Sequence, residues 1–416
     1  MAGNFQISDT FAATGEDSGF IEVGNGHHLH YKRMGKRGGI PVIVLHGGPG
    51  GQMAPDMGLY DPAVYDVVFF SQRGCGESWR DGNPQKPDEG ASPEDMRSYY
   101  LRKIENESGY NTIPHLIEDV EAVRHAFWPD KQVNVSGGSW GGSLAMLYAV
   151  YYPQHVDRLL LRATSLIELC GSMNPADKVA TQRQFDKNIH FQRFYAKMEE
   201  LDGRDFPFSE IMERLYYGLH DIGNRAWTDE QKWEASCAWR HWNQDLSFKG
   251  GAPESVHIAV DRDMERTLKI ASIFSYYSEI EYPKFGPRFL EQNLPGLIGN
   301  IRVDFVHGFG DEICPLKNAM DAATWISGED CTLDMLHAVG FWTSNDGKVR
   351  VFPTQTGHSE KDKGMGYVLK AVTEDWRGRD AALQDLYPAL VPYVPVQDTA
   401  VLVVQQLQDG QAVRLL

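Results

Sequence analysis

Three things are scarce in this chain, and each scarcity removes a class of function. Cysteine is the first: the five residues at 75, 170, 237, 314 and 331 are odd in number, scattered and free of C-x-x-C pairs. That pattern excludes a disulfide framework and a cysteine-built zinc site, and it suits a reducing compartment. Long apolar runs are the second, since no segment reaches the length of a membrane helix and residues 1–20 lack a basic start followed by an apolar stretch. A cytoplasmic protein without a membrane partner is therefore expected. Positive charge is the third. Lys and Arg total 40 against 57 Asp and Glu, a net charge of −17 that argues against nucleic acid as a partner. No Walker-type phosphate loop and no internal repeat occur, so no cofactor is expected. His27-His28-Leu29-His30 would place His28 and His30 on one face of a strand, but no acid or cysteine stands at ligand spacing. Solvated strand residues are the expectation there, and no metal.

What is present is enough for a large core: 42% of the 416 residues are hydrophobic, and the length suits a catalytic domain with an inserted one. Two glycine motifs stand out. His46-Gly47-Gly48-Pro49-Gly50 follows Pro41-Val42-Ile43-Val44-Leu45, a continuous apolar run of the kind buried on both faces of a parallel sheet. Gly137-Gly138-Ser139-Trp140-Gly141 lies between a short β-forming stretch, 131–135, and a helical one, 143–150. With 41 glycines, G-x-S-x-G arises easily by chance, but strand before and helix after make it a nucleophile elbow. A second apolar run, 65–70, delivers Ser71-Gln72-Arg73-Gly74-Cys75-Gly76-Glu77-Ser78 to the same predicted sheet edge. A serine on an elbow and a glycine turn able to aim N–H groups at an oxyanion are two parts of an acyl-transfer site.

These motifs, with Asn111-Thr112, Val306-His307-Gly308-x-x-Asp311, Cys314-Pro315 and Gly357-His358-Ser359, resemble the proline iminopeptidase branch of the α/β-hydrolases, and they fall in that family's order across 20–360. Ser71 departs from it, standing where the family usually has aspartate. The resemblance implies an α/β-hydrolase fold: a mostly parallel central sheet flanked by helices, with an inserted helical cap. It divides the chain into 1–164, the first part of the catalytic domain, 165–300, the cap, and 301–416, the second part with a C-terminal extension. The residues support the same triad, because the order Ser, Asp, His is that of the fold. Ser139 attacks, His358 moves the proton and Asp311 holds the imidazole. Asp304 and Glu312 are the competing acids and His337 the competing base; Asp304 lies inside a strand, Glu312 is one residue off the motif, and His337 lacks a glycine loop. The oxyanion hole is expected from the N–H of Trp140 and of Gly48, with Gly47 as the alternative.

Substrate choice belongs to the cap, where 185–198, 210–219, 229–242 and 261–277 show apolar residues at helical spacing. In the resembled family, glutamates on cap helices bind a free N-terminal ammonium; alignment puts Asn243, after Trp242, and Phe274 at those positions. Asp245, Glu279 or Glu281 would have to supply the counter-charge. The substrate expected is a small peptide, amide or ester. The leading reading is a serine hydrolase that releases an N-terminal residue, proline in the resembled family, through an acyl-enzyme. An esterase or amidase for a neutral bulky molecule and a non-catalytic receptor on the same scaffold are the alternatives. Two pieces look like additions of this chain: a hairpin within 340–352 turning at Asn345-Asp346-Gly347, and a terminal hairpin over 400–416. Either would edge the pocket or make an oligomer contact.

Overall fold

A strand sends successive side chains to opposite faces of a sheet, so a uniformly apolar run such as Val67-Val68-Phe69-Phe70 is buried on both. The computed structural model describes residues 10–11, 17–167, 186–223, 227–248, 251–286, 288–297, 301–358 and 363–376. In it the strands are β1 (Thr10–Phe11), β2 (Asp17–Glu22), β3 (His27–Gly35), β4 (Ile40–Leu45), β5 (Tyr65–Phe70), β6 (Trp79–Arg80), β7 (Val133–Gly138), β8 (Val156–Arg162), β9 (Arg302–Gly308), β10 (Trp342–Thr343) and β11 (Val349–Thr354). They form one sheet in the order β1-β2-β3-β5-β4-β7-β8-β9-β11-β10, with β6 paired to β3. From β5 to β11 the neighbours run parallel. Ile43, Leu45, Val68, Phe70, Leu159 and Leu161 pack on one face beneath the helices Ile113–Phe127 and Trp140–Tyr151. Val42, Val67, Phe69, Leu160 and Val306 pack on the other, against Met365, Val368 and Val372 of the helix Lys363–Asp375.

The parallel strands end together. Leu45 lies opposite Phe70 and Gly137, Gly138 opposite Arg162, Arg162 opposite Val306, and Gly308 opposite Thr354. The loops carrying His46, Ser71, Ser139, Asp311 and His358 therefore all leave one edge of the sheet, where ligands bind in open α/β folds.

Between β8 and β9 the described residues are mostly helical, with a core of their own that includes Phe191, Phe194, Met198, Leu215, Trp239 and Trp242. The longer described helices are Ile189–Asp202, Ile211–Leu219, Asp229–Ser247, Glu254–Arg262 and Met264–Tyr276. Asp229–Ser247 outlasts the expected end at 242, and the stretch expected from 261 is two helices that meet at Asp263. Gly50 sits against this insertion: a Cβ there would fall 3.0 Å from Ile270 Cα and 3.2 Å from Ile273 Cβ, so the glycine lets the helix Met264–Tyr276 lie on the His46–Gly50 turn.

Two expectations are corrected. The hairpin around Asn345–Gly347 exists, as β10 paired antiparallel to β11, but β11 is no addition. It pairs with β9 over six residues inside the sheet and carries the chain to His358, so its apolar alternation is core. The histidines of β3 are not all solvated strand residues either. His27 is fully buried and donates from Nε2 to Gly109 O at 2.7 Å, while His30 is buried beside Ser18. Only His28, stacked on Trp79, faces partly outward. The 400–416 hairpin lies outside the described residues.

Burial of His27 gives a prediction. Desolvation outweighs its hydrogen bond to Gly109 and pushes its pKa down from 6.5 to about 4. The unfolded chain then takes up the proton first, so this contribution is fully present above about pH 6.5 and is lost as pH falls toward about 4. Urea midpoints measured across that window should drop, and His27→Gln should remove up to about 3 kcal/mol of the pH dependence. An unchanged pH dependence in the variant would show that this group does not titrate with unfolding.

Candidate active site

The turn after β7 is built from the strand end upward. Ser139 has φ 54 and ψ −124, a backbone conformation that costs a non-glycine residue free energy, and its neighbours leave it no alternative. A Cβ on Gly137 would lie 2.2 Å from Gly141 O, and one on Gly141 would lie 2.3 Å from Leu45 O. Only glycine permits this close approach of strand, turn and helix. Ser139 donates its N–H to Arg162 O at 2.9 Å, while Ser139 O accepts from Gly142 N at 2.9 Å. The helix Trp140–Tyr151 starts at the next residue, so its positive end faces the serine.

Gln72 joins this turn to the other glycine motif. Its Nε2 donates to His46 O at 2.9 Å, its Oε1 accepts from Trp140 Nε1 at 2.9 Å, and its backbone N–H donates to His46 Nε2 at 3.0 Å. His46 Nδ1–H then donates to Gly47 O, and desolvation, with no ion pair to oppose it, pushes the imidazole down to about 4. It is neutral and structural. A Cβ on Gly47 would come within 3.3 Å of Ser139 Cβ, so the turn lies directly against the serine. Ser71, beside Gln72, places its Oγ under Met53 N at 3.3 Å, and Arg73 makes a paired contact with the buried carboxylate of Asp119 at 2.7 and 2.8 Å.

His358, on the loop after β11, places Nδ1 2.8 Å from Asp311 Oδ2. The other oxygen, Oδ1, accepts from Ile313 N at 3.0 Å and Cys314 N at 2.8 Å. A second histidine, His307, lies 3.4 Å from Asp311 Oδ2 and bonds Cys314 O through Nε2 at 2.6 Å. Burial alone would raise the Asp311 carboxyl, yet the two imidazoles hold it well below the usual carboxylate range. The competing acids are elsewhere: Asp304 accepts from Arg350 and Trp376, and Glu312 is exposed. His337 stacks on Phe309. Arg162 was not singled out from sequence; its Nη1 donates to His358 O at 2.9 Å, so one residue ties the serine turn to the histidine loop. The sequence carries a faint signal for it in Gly138, where a Cβ would collide with that guanidinium.

Of the residues expected to meet substrate, Trp242 is buried between Phe191 and Phe194, and Phe274 packs on Trp239. Asn243 faces Arg240 at 3.4 Å. Asp245 is occupied by Ala252 N and His257 Nε2. Glu281 is fully buried and accepts from Ile113 N, Tyr276 and Lys284. Glu279 differs: it makes no hydrogen bond or ion pair among the described residues, and burial, aided by Glu213, raises its carboxyl.

Residues 40–327 match the family model described as alpha/beta hydrolase fold. A proline iminopeptidase of Neisseria meningitidis serogroup A is 30% identical over 306 residues, covering 73% of this chain and 84% of that protein. Those of Neisseria gonorrhoeae (30% over 309 residues; 73% and 84%) and Xylella fastidiosa Temecula1 (28% over 315 residues; 73% and 85%) are similar. This chain belongs to the proline iminopeptidase family. It is accordingly a serine hydrolase of the α/β-hydrolase fold. In this family member no described helix is long and apolar enough to cross a membrane.

Gln72→Leu tests the coupling between the two glycine motifs. The change leaves Trp140 Nε1–H and His46 C=O unpaired, at a cost of about 1–3 kcal/mol in stability. A turn displaced by a fraction of an ångström should lower kcat by about 10- to 100-fold. A variant with normal kcat and normal thermal stability would show that Gln72 positions nothing.

Proposed function

We propose that Ser139, His358 and Asp311 form the catalytic triad and that the enzyme cleaves the N-terminal residue, proline by preference, from small peptides. The observation that carries this reading is the pairing of a 2.8 Å His358 Nδ1–Asp311 contact with a serine held at φ 54 on the same sheet edge. With Nδ1–H committed to the carboxylate, Nε2 is left as the base. Ser139 Oγ attacks the scissile carbonyl carbon while His358 takes its proton. The resulting oxyanion accepts from the N–H of Trp140 and from one in the Gly47-Gly48 pair, of which we assign Gly48. The leaving amine receives the proton from His358, and water, deprotonated in turn by His358, releases the acyl group.

Residues 165–300 serve as the cap of this site, and 1–164 with 301–416 as the catalytic domain. The contact of the helix Met264–Tyr276 with Gly50 supports that division. A free N-terminus needs a counter-charge where water is excluded. Asp245 and Glu281 have partners within the fold, which leaves Glu279, with Glu213 beside it, as the acid assigned to the ammonium. Tyr277, two residues before Glu279, packs on Trp140 with ring centroids 5.3 Å apart, which supports placing Glu279 near the serine. A cytoplasmic location is part of the same reading. The esterase or amidase reading stays in play on one observation: Asn243 and Phe274 are neutral where the family's glutamates are expected.

Ser139→Ala and His358→Ala should each reduce kcat by about 10⁴-fold or more, within about tenfold of one another, because triad members act as a unit. Near-normal turnover by either purified variant would remove the triad. For specificity, kcat/KM of a proline arylamide should exceed that of its N-acetyl counterpart by about a hundredfold, and Glu279→Gln should erase most of the difference. Equal rates for the two substrates in the parent enzyme would favour the neutral-acyl hydrolase.

A further inference from the structure

Three histidines far apart in sequence meet inside the helical insertion. His190 stands at the start of the helix Ile189–Asp202, His241 on Asp229–Ser247 and His257 on Glu254–Arg262. The His190 and His257 rings stack with centroids 4.3 Å apart, and His241 meets them edge-on at 5.5 and 4.9 Å. One ring nitrogen from each lies within 4.8 Å of the other two.

The hydrogen bonding is incomplete in a way that suits a ligand. His257 is buried, and its Nε2–H donates to Asp245 Oδ1 at 3.0 Å, which fixes the tautomer and leaves a bare lone pair on Nδ1. That Nδ1 is buried with no partner, as is Nδ1 of His190. His241 Nε2 lies 2.9 Å from Asp261 Oδ1 but off the line of a hydrogen bond, and it too is unsatisfied. Asp245, one helical turn after His241, also holds Ala252 N at 3.1 Å and approaches His190 Nε2 at 3.9 Å. A carboxylate that orients an imidazole by accepting from one nitrogen, with the other nitrogen free, is the outer half of a histidine–metal site.

We propose that His190, His241 and His257 bind a borderline divalent transition metal, zinc in the first instance, with Asp245 as the carboxylate that orients His257. Three imidazoles suit zinc, copper, nickel or cobalt, and they leave a fourth position of a tetrahedral ion to water. Tetrahedral zinc with nitrogen ligands separates them by about 3.4 Å, so binding draws the rings together by about 1 Å. The ion takes no part in the hydrolysis. Its effect is to tie three helices of the insertion to one point, which stabilises the insertion by mass action.

The test uses the full chain stripped with a chelator and titrated with zinc chloride, read by calorimetry and elemental analysis, with cobalt(II) absorption reporting the coordination. The expected result is one ion per chain, a tetrahedral cobalt spectrum and a zinc-dependent rise in Tm. His257→Gln should lose the site, with affinity down about 100-fold or more, and Asp245→Asn should weaken it about 10- to 100-fold. His241, which is partly exposed, supplies a second ligand variant, His241→Gln, should His257→Gln fail to give native circular dichroism. Absence of stoichiometric zinc in the parent, or unchanged affinity in a folded ligand variant, would overturn the proposal.

Discussion

The backbone at Ser139 is the constraint on which the rest of this molecule depends. A residue with a side chain at φ 54 and ψ −124 costs of order 1–3 kcal/mol and persists only where its surroundings over-determine it. They do so from three sides. Gly137 and Gly141 bring strand, helix and β4 into contact distances that admit no Cβ, and Arg162 O takes the serine N–H. Gln72 fastens the indole of Trp140 to the His46 carbonyl. The strain is local, but the groups that hold it come from β4, β7, β8 and the loop after β5, so a large part of the sheet is committed to one side chain's position.

Electrostatics follow the same plan on the other side of the site. Burying Asp311 without partners would neutralise it, and a neutral acid could not stabilise an imidazolium. Two imidazoles and two backbone N–H groups keep it charged, so in the proposed triad the loop from Gly308 to Cys314 supports the acid as one unit. Cys314 contributes through its backbone: its N–H donates to the carboxylate and its C=O accepts from His307. Arg162 then joins the two halves, since its carbonyl accepts from the Ser139 N–H and its guanidinium donates to the His358 carbonyl.

Much of this was legible in the chain because it is written locally. The elbow, the glycine turn and the Asp311 loop each sit beside their own strand, and apolar runs or β-forming stretches mark those strands in the sequence. The piece over 340–352 reads as an addition because a short strand behind a two-residue partner looks like a free hairpin, and only the pairing of Val349–Thr354 with β9 places that strand in the core. His27 looked solvated because its partner, Gly109, lies 82 residues away. Asp245 and Glu281 were eligible counter-charges on composition alone; their engagement with His257 and Ile113 is a tertiary fact. The three histidines at 190, 241 and 257 carry no spacing signal, since helix packing and not sequence brings them together.

In the proposed reading the attachment of the insertion bears on specificity more than its own core does. Tyr277 donates to Asn111 Oδ1 at 2.8 Å, and Asn111 Nδ2 in turn donates to Arg73 O at 3.0 Å. Glu281 caps the N–H of Ile113 at the start of the helix Ile113–Phe127, and Ile270 abuts Gly50. Each contact joins the insertion to a residue within or beside the motifs that shape the serine turn. A shift of the segment 276–281 would therefore move Glu279 and the packing on Trp140 together. With Glu279 assigned to the substrate as proposed, recognition and catalysis share a support, so substitutions along this segment should change KM and kcat jointly, whereas substitutions in the distant insertion core should act through stability alone.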